Sequence, residues 1–425
     1  MISVIAFAFS TAASVHAAPV IATITLHNGP VGVAYDPSMR EVFVANSVSG
    51  DLQVFSDSTN QQVADVTALT QYAGAPYNLA YDSGKGEIWM TTLSGAYAIS
   101  DANDQDVANV TSLSYSGGSL AIAYDSGQGE LFLTFAPSGV QVVSDSSKAV
   151  VANVTALYVY GLVYDSAKSE IFASETNETS GASDIAVISD KTNSIVATIP
   201  VTSFVLGSLV YDPGKGEIFA LGASTIYVIS DTSNKIVTTI PISNLVIESY
   251  MAYDSGKGEI YINEGPEVLV LSDSTNALVA TVNDNGSATA STGGLGGVAY
   301  DPGTGTIYAV NNGGKYSLPG SMVVISDAST GTSTSTTTST TTTTSTATTS
   351  TATTSPTTST TTTSMPTSST TPVMTTTSSS KSGGVPEFPY QLLAAVAFTA
   401  LLGASYLLVR TKTAQGGRKG ARGTA

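Results

Sequence analysis

One pair of residues recurs through most of this chain and limits what it can fold into. Tyr-Asp stands at Tyr35-Asp36, Tyr81-Asp82, Tyr124-Asp125, Tyr164-Asp165, Tyr211-Asp212, Tyr253-Asp254 and Tyr300-Asp301. Successive copies lie 46, 43, 40, 47, 42 and 47 residues apart. A period in that range marks a repeat architecture, in which each unit buries its apolar faces against its neighbours. A second pair follows each of the first, at Ser56-Asp57, Ser100-Asp101, Ser144-Asp145, Ser189-Asp190, Ser230-Asp231, Ser272-Asp273 and Ser326-Asp327. The chain is thus seven copies of one small motif.

The fifth copy reads GSLVYD, PGKG, EIFALG, ASTIYVISD, TSN, KIVTTIP. Runs rich in Val, Ile, Tyr, Phe and Thr alternate with short Gly, Pro, Ser and Asn clusters, which predicts strands joined by tight turns. Each unit is read as four antiparallel strands: A ending at Tyr-Asp, B starting at Glu, C ending at Ser-Asp, and D. Seven such units predict an all-β, seven-bladed β-propeller spanning residues 18–327. The repeated acids have a turn role in this reading, since Asp bonds its own backbone and a following Gly supplies positive φ. The aromatic two places after the start of strand B is Phe43, Trp89, Phe132, Phe172, Phe219, Tyr261 or Tyr308. Stacking of Trp89 on a sugar is one reading. Recurrence at one fixed place in every blade favours packing between blades.

The two ends of the repeat region fit each other. Residues 20–26, VIATITL, read as a strand D with no blade in front of it. The seventh unit stops after strand C at Ser326-Asp327. The N-terminal strand is therefore expected to complete the last blade and remove two open sheet edges. The outward position of strand D is polar throughout: Thr23, Asp65, Asn109, Asn153, Thr198, Thr239 and Thr281. Asn109 and Asn153 also head N-glycosylation sequons, as do Asn177 and Asn285.

In a propeller the A-to-B and C-to-D turns share one face and the other connections share the opposite face. The first face carries the uniform Asp turns. The second carries irregular loops at 68–78, 176–183, 284–296 and 312–320, and recognition usually sits on variable loops held by a rigid scaffold. Tyr72, Tyr77, Tyr115, Tyr158, Phe204 and Tyr316 are the candidate binding-face aromatics.

The flanking segments carry no blade pattern. Residues 1–17 are uncharged and mostly apolar, ending in Val15-His16-Ala17, and read as a signal peptide. Residues 328–384 are mostly Ser and Thr, too poor in apolar surface to fold, and read as an O-glycosylated stalk. Residues 385–409 hold a short Pro-containing stretch and then 390–409 without a charge, long enough at ~1.5 Å per residue to span a bilayer as one helix. Arg410, Lys412, Arg418, Lys419 and Arg422 follow within the tail 410–425, which predicts a cytoplasmic C-terminus and an extracellular propeller.

Composition narrows the chemistry. Five of the 15 basic residues lie after Val409, and the remaining ten against 32 acidic residues leave the outer part at −22. Such a surface repels nucleic acid, so none is expected as a partner. The chain has no Cys and two His, His16 and His27, so Ser-His-Asp, Cys-His and His-rich metal sets are not expected. No catalytic residue, metal ligand or cofactor is assigned, with Ca²⁺ on runs such as Asp82-Ser83-Gly84-Lys85-Gly86-Glu87 kept as the weaker reading.

Val42-Phe43-Val44-Ala45-Asn46, followed by residues 54–66 (VFSDSTNQQVADV), resembles the YVTN-type propeller repeat of archaeal surface-layer-like and YncE-like proteins. The likeness covers residues 20–327. It departs from the family at the usual Pro-Asp-Gly turn, and the Asn closing strand B stands clearly only at Asn46 and Asn311. Val385-Pro386-Glu387-Phe388-Pro389 resembles the C-terminal region of archaeal cell-surface proteins, some of them processed by archaeosortases. The resemblance implies an archaeal envelope protein and transfers no catalytic residue. The expected function is a non-enzymatic, membrane-anchored binding or envelope-structural module whose partner is a cell-envelope protein or polysaccharide. The alternatives are an exported lactonase- or lyase-like propeller enzyme and an extracellular solute-capture protein.

Overall fold

A computed structural model describes residues 18–67, 75–92, 94–110, 121–134, 139–156, 158–177, 180, 182–202, 206–242, 245, 249–283, 295–312 and 319–328. The signal, stalk, anchor and tail segments lie outside them, apart from Ala328. Among the described residues no helix is long and apolar enough to cross a membrane.

Seven four-stranded antiparallel sheets follow one another along the chain. Blades 1 to 6 occupy residues 30–66, 76–110, 122–154, 158–201, 206–241 and 250–283, each with strands A to D in sequence order. Blade 7 takes strands A to C from residues 295–326 and its fourth strand from Val20–Asn28. That first strand runs antiparallel to Pro319–Ser326, with Thr23 opposite Val323 and Ile24 opposite Met322. The expected seven-bladed ring with its N-terminal closing strand is present.

The closing strand copies its counterparts to a fine detail. In blades 1 to 6 the C–D ladder shifts register at one fixed place, such as Val54/Phe55, Val187/Ile188 and Val228/Ile229. The first strand shifts between Val20 and Ala22, opposite Ile325 and Val324. The bulged residues Ile21, Val63, Val107, Val151, Val196 and Val237 are exposed, and Val279 of blade 6 is half-buried. One extra residue keeps the inward alternation in step beyond the bulge, so all seven polar positions read as outward in strand D are exposed.

The core lies between blades. Phe43, Trp89, Phe132, Phe172, Phe219, Tyr261 and Tyr308 are all fully buried. Each belongs to a cluster that joins its blade to the next: Phe43 with Ile88 and Met90, Trp89 with Leu131 and Leu133, Phe132 with Ile171 and Ala173. Phe172 meets Ile218, Phe219 meets Ile260, and Tyr261 meets Ile307. Tyr308 closes the circle against Val42 and Val44 of blade 1, with Leu26 of the closing strand in the same cluster. Burying one such side chain stabilises by roughly 1.5–3 kcal/mol, so the seven junctions hold the ring without any disulfide.

Candidate functional site

The uniform-turn face is built from the two repeated acids. Every Asp of the Tyr-Asp pairs is fully buried. Its Oδ1 accepts two backbone N–H groups of the turn, as Asp82 does from Gly84 at 2.8 Å and Lys85 at 3.1 Å. Asp36, Asp125, Asp165, Asp212, Asp254 and Asp301 repeat the arrangement. The acids of the Ser-Asp pairs bridge the neighbouring turns of one blade: Asp231 N–H donates to the Gly216 carbonyl at 3.0 Å. Gly216 has φ +64° there, and a Cβ would stand 2.7 Å from both Asp231 carboxylate oxygens. These carboxylates serve the turns, as their sequence context predicts.

The tyrosines link blades. The phenols of Tyr124, Tyr164, Tyr253 and Tyr300 are raised first by burial and then by Asp82, Asp125, Asp212 and Asp254 of the preceding blade, Tyr300 to about 12. Tyr35 is raised in the same way beside Asp301. Three of the hydroxyls also donate to the Ser-Asp carboxylate of their own blade: Tyr35 to Asp57 at 3.0 Å, Tyr253 to Asp273 at 3.1 Å and Tyr164 to Asp190 at 3.5 Å. Arg40 pairs with Asp57 at 3.1 Å and Lys215 with Asp273 at 3.1 Å, placing cations at two of these junctions.

Carboxylates crowded in this way set the pH dependence of stability. Burial, and then a facing carboxylate of the neighbouring blade, holds Asp101, Asp190 and Asp327 above the usual carboxylate range. Burial is also the first cause for Asp104, Asp165, Glu41, Glu130, Glu170 and Glu217. A carboxyl with a raised folded-state pKa binds its proton more tightly folded than unfolded. Its stabilising effect is therefore complete below the unfolded value, near 4, and is lost as pH rises through the folded value. The melting temperature is expected to increase as pH falls from 8 toward 5, measured by calorimetry. A melting temperature that declines steadily over that interval would contradict this sign.

The irregular-loop face is described in part. Tyr77 and Tyr158 are both half-buried, and burial raises the Tyr77 phenol. The carbonyl of Tyr77 approaches strand A of blade 1 so closely that a Cβ on Gly32 would stand 2.1 Å from it. Tyr72, Tyr115, Phe204 and Tyr316 lie outside the described residues. Of the sequon asparagines, Asn109 and Asn153 are exposed on outer strands and Asn177 is half-buried. Asn153 Oδ1 accepts from Gln141 Nε2 at 2.8 Å, and Asn177 Oδ1 accepts the Ser180 N–H at 3.0 Å. Asn285 lies outside the described residues.

At this end of strand B, buried amides stitch blades together. Asn263 Nδ2 donates to the carbonyls of Gly296 and Val310 of blade 7, at 2.9 and 2.7 Å. Asn311 Nδ2 donates to the Gly265 carbonyl of blade 6 at 2.9 Å. Asn46 and Asn311 stand out in the sequence. Asn263 escapes the same pattern because its strand reaches it one residue sooner.

A second constellation forms where the ring closes. His27 Nδ1 lies 3.0 Å from Asp51 Oδ2, and Asp65 joins them with the three donor atoms all within 4.8 Å of one another. Asp51 is 6% exposed, and its Oδ1 accepts from the buried Asn46 amide at 2.7 Å. Gln53, 2% exposed, accepts the His27 backbone N–H through Oε1 at 2.8 Å. Asp65 is exposed and stands opposite Gln53 in the C–D ladder of blade 1. Burial and then the Asp51 charge raise its carboxyl, with His27 opposing. The sequence marks Asp65 only as an outward polar position and leaves His27 without metal-binding neighbours, since Asp51 and Asp65 lie on adjacent strands of blade 1 and His27 reaches them only from the closing strand.

No family model matches the chain. No curated protein matches it either. Its fold is shared by 1636 chains of solved structures, so the architecture selects no activity. One of them is the Kuenenia stuttgartiensis hydrazine synthase, with 15% sequence identity over 71% of this chain and 96% of that one, and a TM-score of 0.58. At that identity the likeness is one of fold alone, and the seven four-stranded sheets of this chain make that fold a seven-bladed β-propeller.

Proposed function

We propose that this protein is a cell-surface propeller of the YVTN/YncE type, an envelope-binding or envelope-structural module carried on a Ser/Thr-rich stalk and one membrane-spanning helix. The observation that carries the reading is the order of segments: a ring that closes on itself, then the Ser/Thr tract, then 20 uncharged residues and a basic tail. A propeller closed by its own first strand is a self-contained head, and a long glycosylated tether would hold it clear of the membrane. Exposed Asn109 and Asn153 on outer strands fit carbohydrate at the rim. The acidic outer part suits cationic partners and repels nucleic acid. The repeated acids are occupied by turns, which supports binding over catalysis.

Co-sedimentation of the propeller, residues 18–328, with envelopes of its own cells tests the reading. Saturable binding is the expected result, and its loss with a chelator would make that binding cation-dependent. Failure to bind in either condition would overturn the envelope reading in favour of a hydrolytic or solute-capturing propeller.

A further inference from the structure

We propose that His27, Asp51 and Asp65 form a divalent transition-metal site that clips the closing strand to blade 1. The three side chains come from three strands: Val20–Asn28, which completes blade 7, and Asp51–Ser56 and Gln62–Val66 of blade 1. Bonds of about 2.0–2.2 Å to one ion place its ligand atoms roughly 3–4.4 Å apart. Donor atoms already within 4.8 Å of each other reach that range through small side-chain movements.

The surroundings are those of a ligand set more than of a lone ion pair. Asp51 is a carboxylate more than nine-tenths buried, with one oxygen anchored by Asn46 and the other directed at His27. Gln53 fixes the backbone of His27 from the same side. Such supporting hydrogen bonds orient ligands and tune their basicity. The Asp65 side chain makes no hydrogen bond among the described residues, and its carboxyl faces Asp51 across the same space. Two carboxylates therefore share one imidazole, and no Lys or Arg pairs with either among the described residues. A divalent cation balances that charge. One nitrogen and two oxygen donors suit Zn²⁺ or a neighbouring first-row ion and disfavour Ca²⁺ and Mg²⁺, which prefer oxygen alone. The His27 side chain is 39% exposed, which gives the ion a path in and leaves a fourth position for water.

The location gives the site a purpose. The ring is closed by strand pairing between its two ends, and the chain has no Cys to fasten them. A metal bound only by the folded ring would stabilise closure by mass action. The inference stands apart from the envelope reading, because it concerns the head alone.

Titration of the purified, tag-free full chain with Zn²⁺ at pH 7 against a chromophoric competitor provides the test. One equivalent is expected to bind at micromolar or tighter dissociation constant and to raise the melting temperature by several degrees, with excess Ca²⁺ failing to compete. Co²⁺ should give a visible d–d band that Zn²⁺ removes. Asp65→Asn, on the exposed side, should keep the metal-free melting temperature and weaken Zn²⁺ at least tenfold, and His27→Gln should abolish the band. Absence of a stoichiometric site, or equal affinity in wild type and both variants, would overturn the proposal and leave His27 and Asp51 as a simple ion pair.

Discussion

Removing residues 18–28 is expected to destroy cooperative thermal unfolding of the propeller. Strand Val20–Asn28 supplies the fourth strand of blade 7, so its loss exposes the ladder edge of Pro319–Ser326. Leu26, 1% exposed, leaves the cluster of Val33, Tyr308, Val310 and Met322 that seals blade 7 to blade 1. A net of about 1 kcal/mol per ladder bond, with about 2–5 kcal/mol for a buried Leu, puts the cost on the order of 5–10 kcal/mol. That is comparable to the whole stability of a typical domain, roughly 5–15 kcal/mol. The truncated chain should melt far lower and over a broader range, and should self-associate through its open edge. A synthetic peptide of residues 18–28 added in trans should restore part of the transition. Coincident calorimetric curves for the truncated and intact chains would sink the closure account.

Trp89→Ala is expected to cost about 3–5 kcal/mol, the range for truncating a large buried aromatic. The ring is fully buried between blades 2 and 3, among Leu131, Leu133 and Val143. Its indole N–H donates to Glu87 Oε2 at 3.1 Å, Glu87 is ion-paired with Lys148 Nζ, and that ammonium lies 5.0 Å from the ring centroid. The variant therefore opens a cavity and loosens a small charged network that closes over it. Trp89→Phe restores the residue type used in four other blades and should recover most of the loss, read as the denaturation midpoint by circular dichroism. Trp89 is also the chain's single tryptophan, so wild-type emission should be blue-shifted and resistant to aqueous quenchers. Red-shifted, readily quenched emission would mean an exposed ring and would revive stacking on a sugar.

Much of this fold is legible in the sequence because a repeat displays its own rules seven times. Tyr-Asp and Ser-Asp mark the turns, the aromatic two places into strand B marks the blade junction, and the unmatched strand at 20–26 reveals how the ring closes. Each rests on local physics: a side chain that bonds its own turn, a strand period of two, and an edge that must find a partner. The irregular loops lack that redundancy. Of the six aromatics proposed for their face, only Tyr77 and Tyr158 fall among the described residues, and both are half-buried.

What the sequence alone determined is the unit, its number and its turn chemistry. Only the tertiary structure decided which residues of different units meet. Tyr and Asp stand side by side in every repeat, yet neighbouring side chains on a strand point to opposite faces. Each Asp turns inward to its own hairpin, while the Tyr of the following blade comes to stand beside it. His27 and Asp51, 24 residues apart, touch for a similar reason. Closure lays the end of the last blade beside the first, and a proximity set by a ring leaves no spacing in the chain from which to read it.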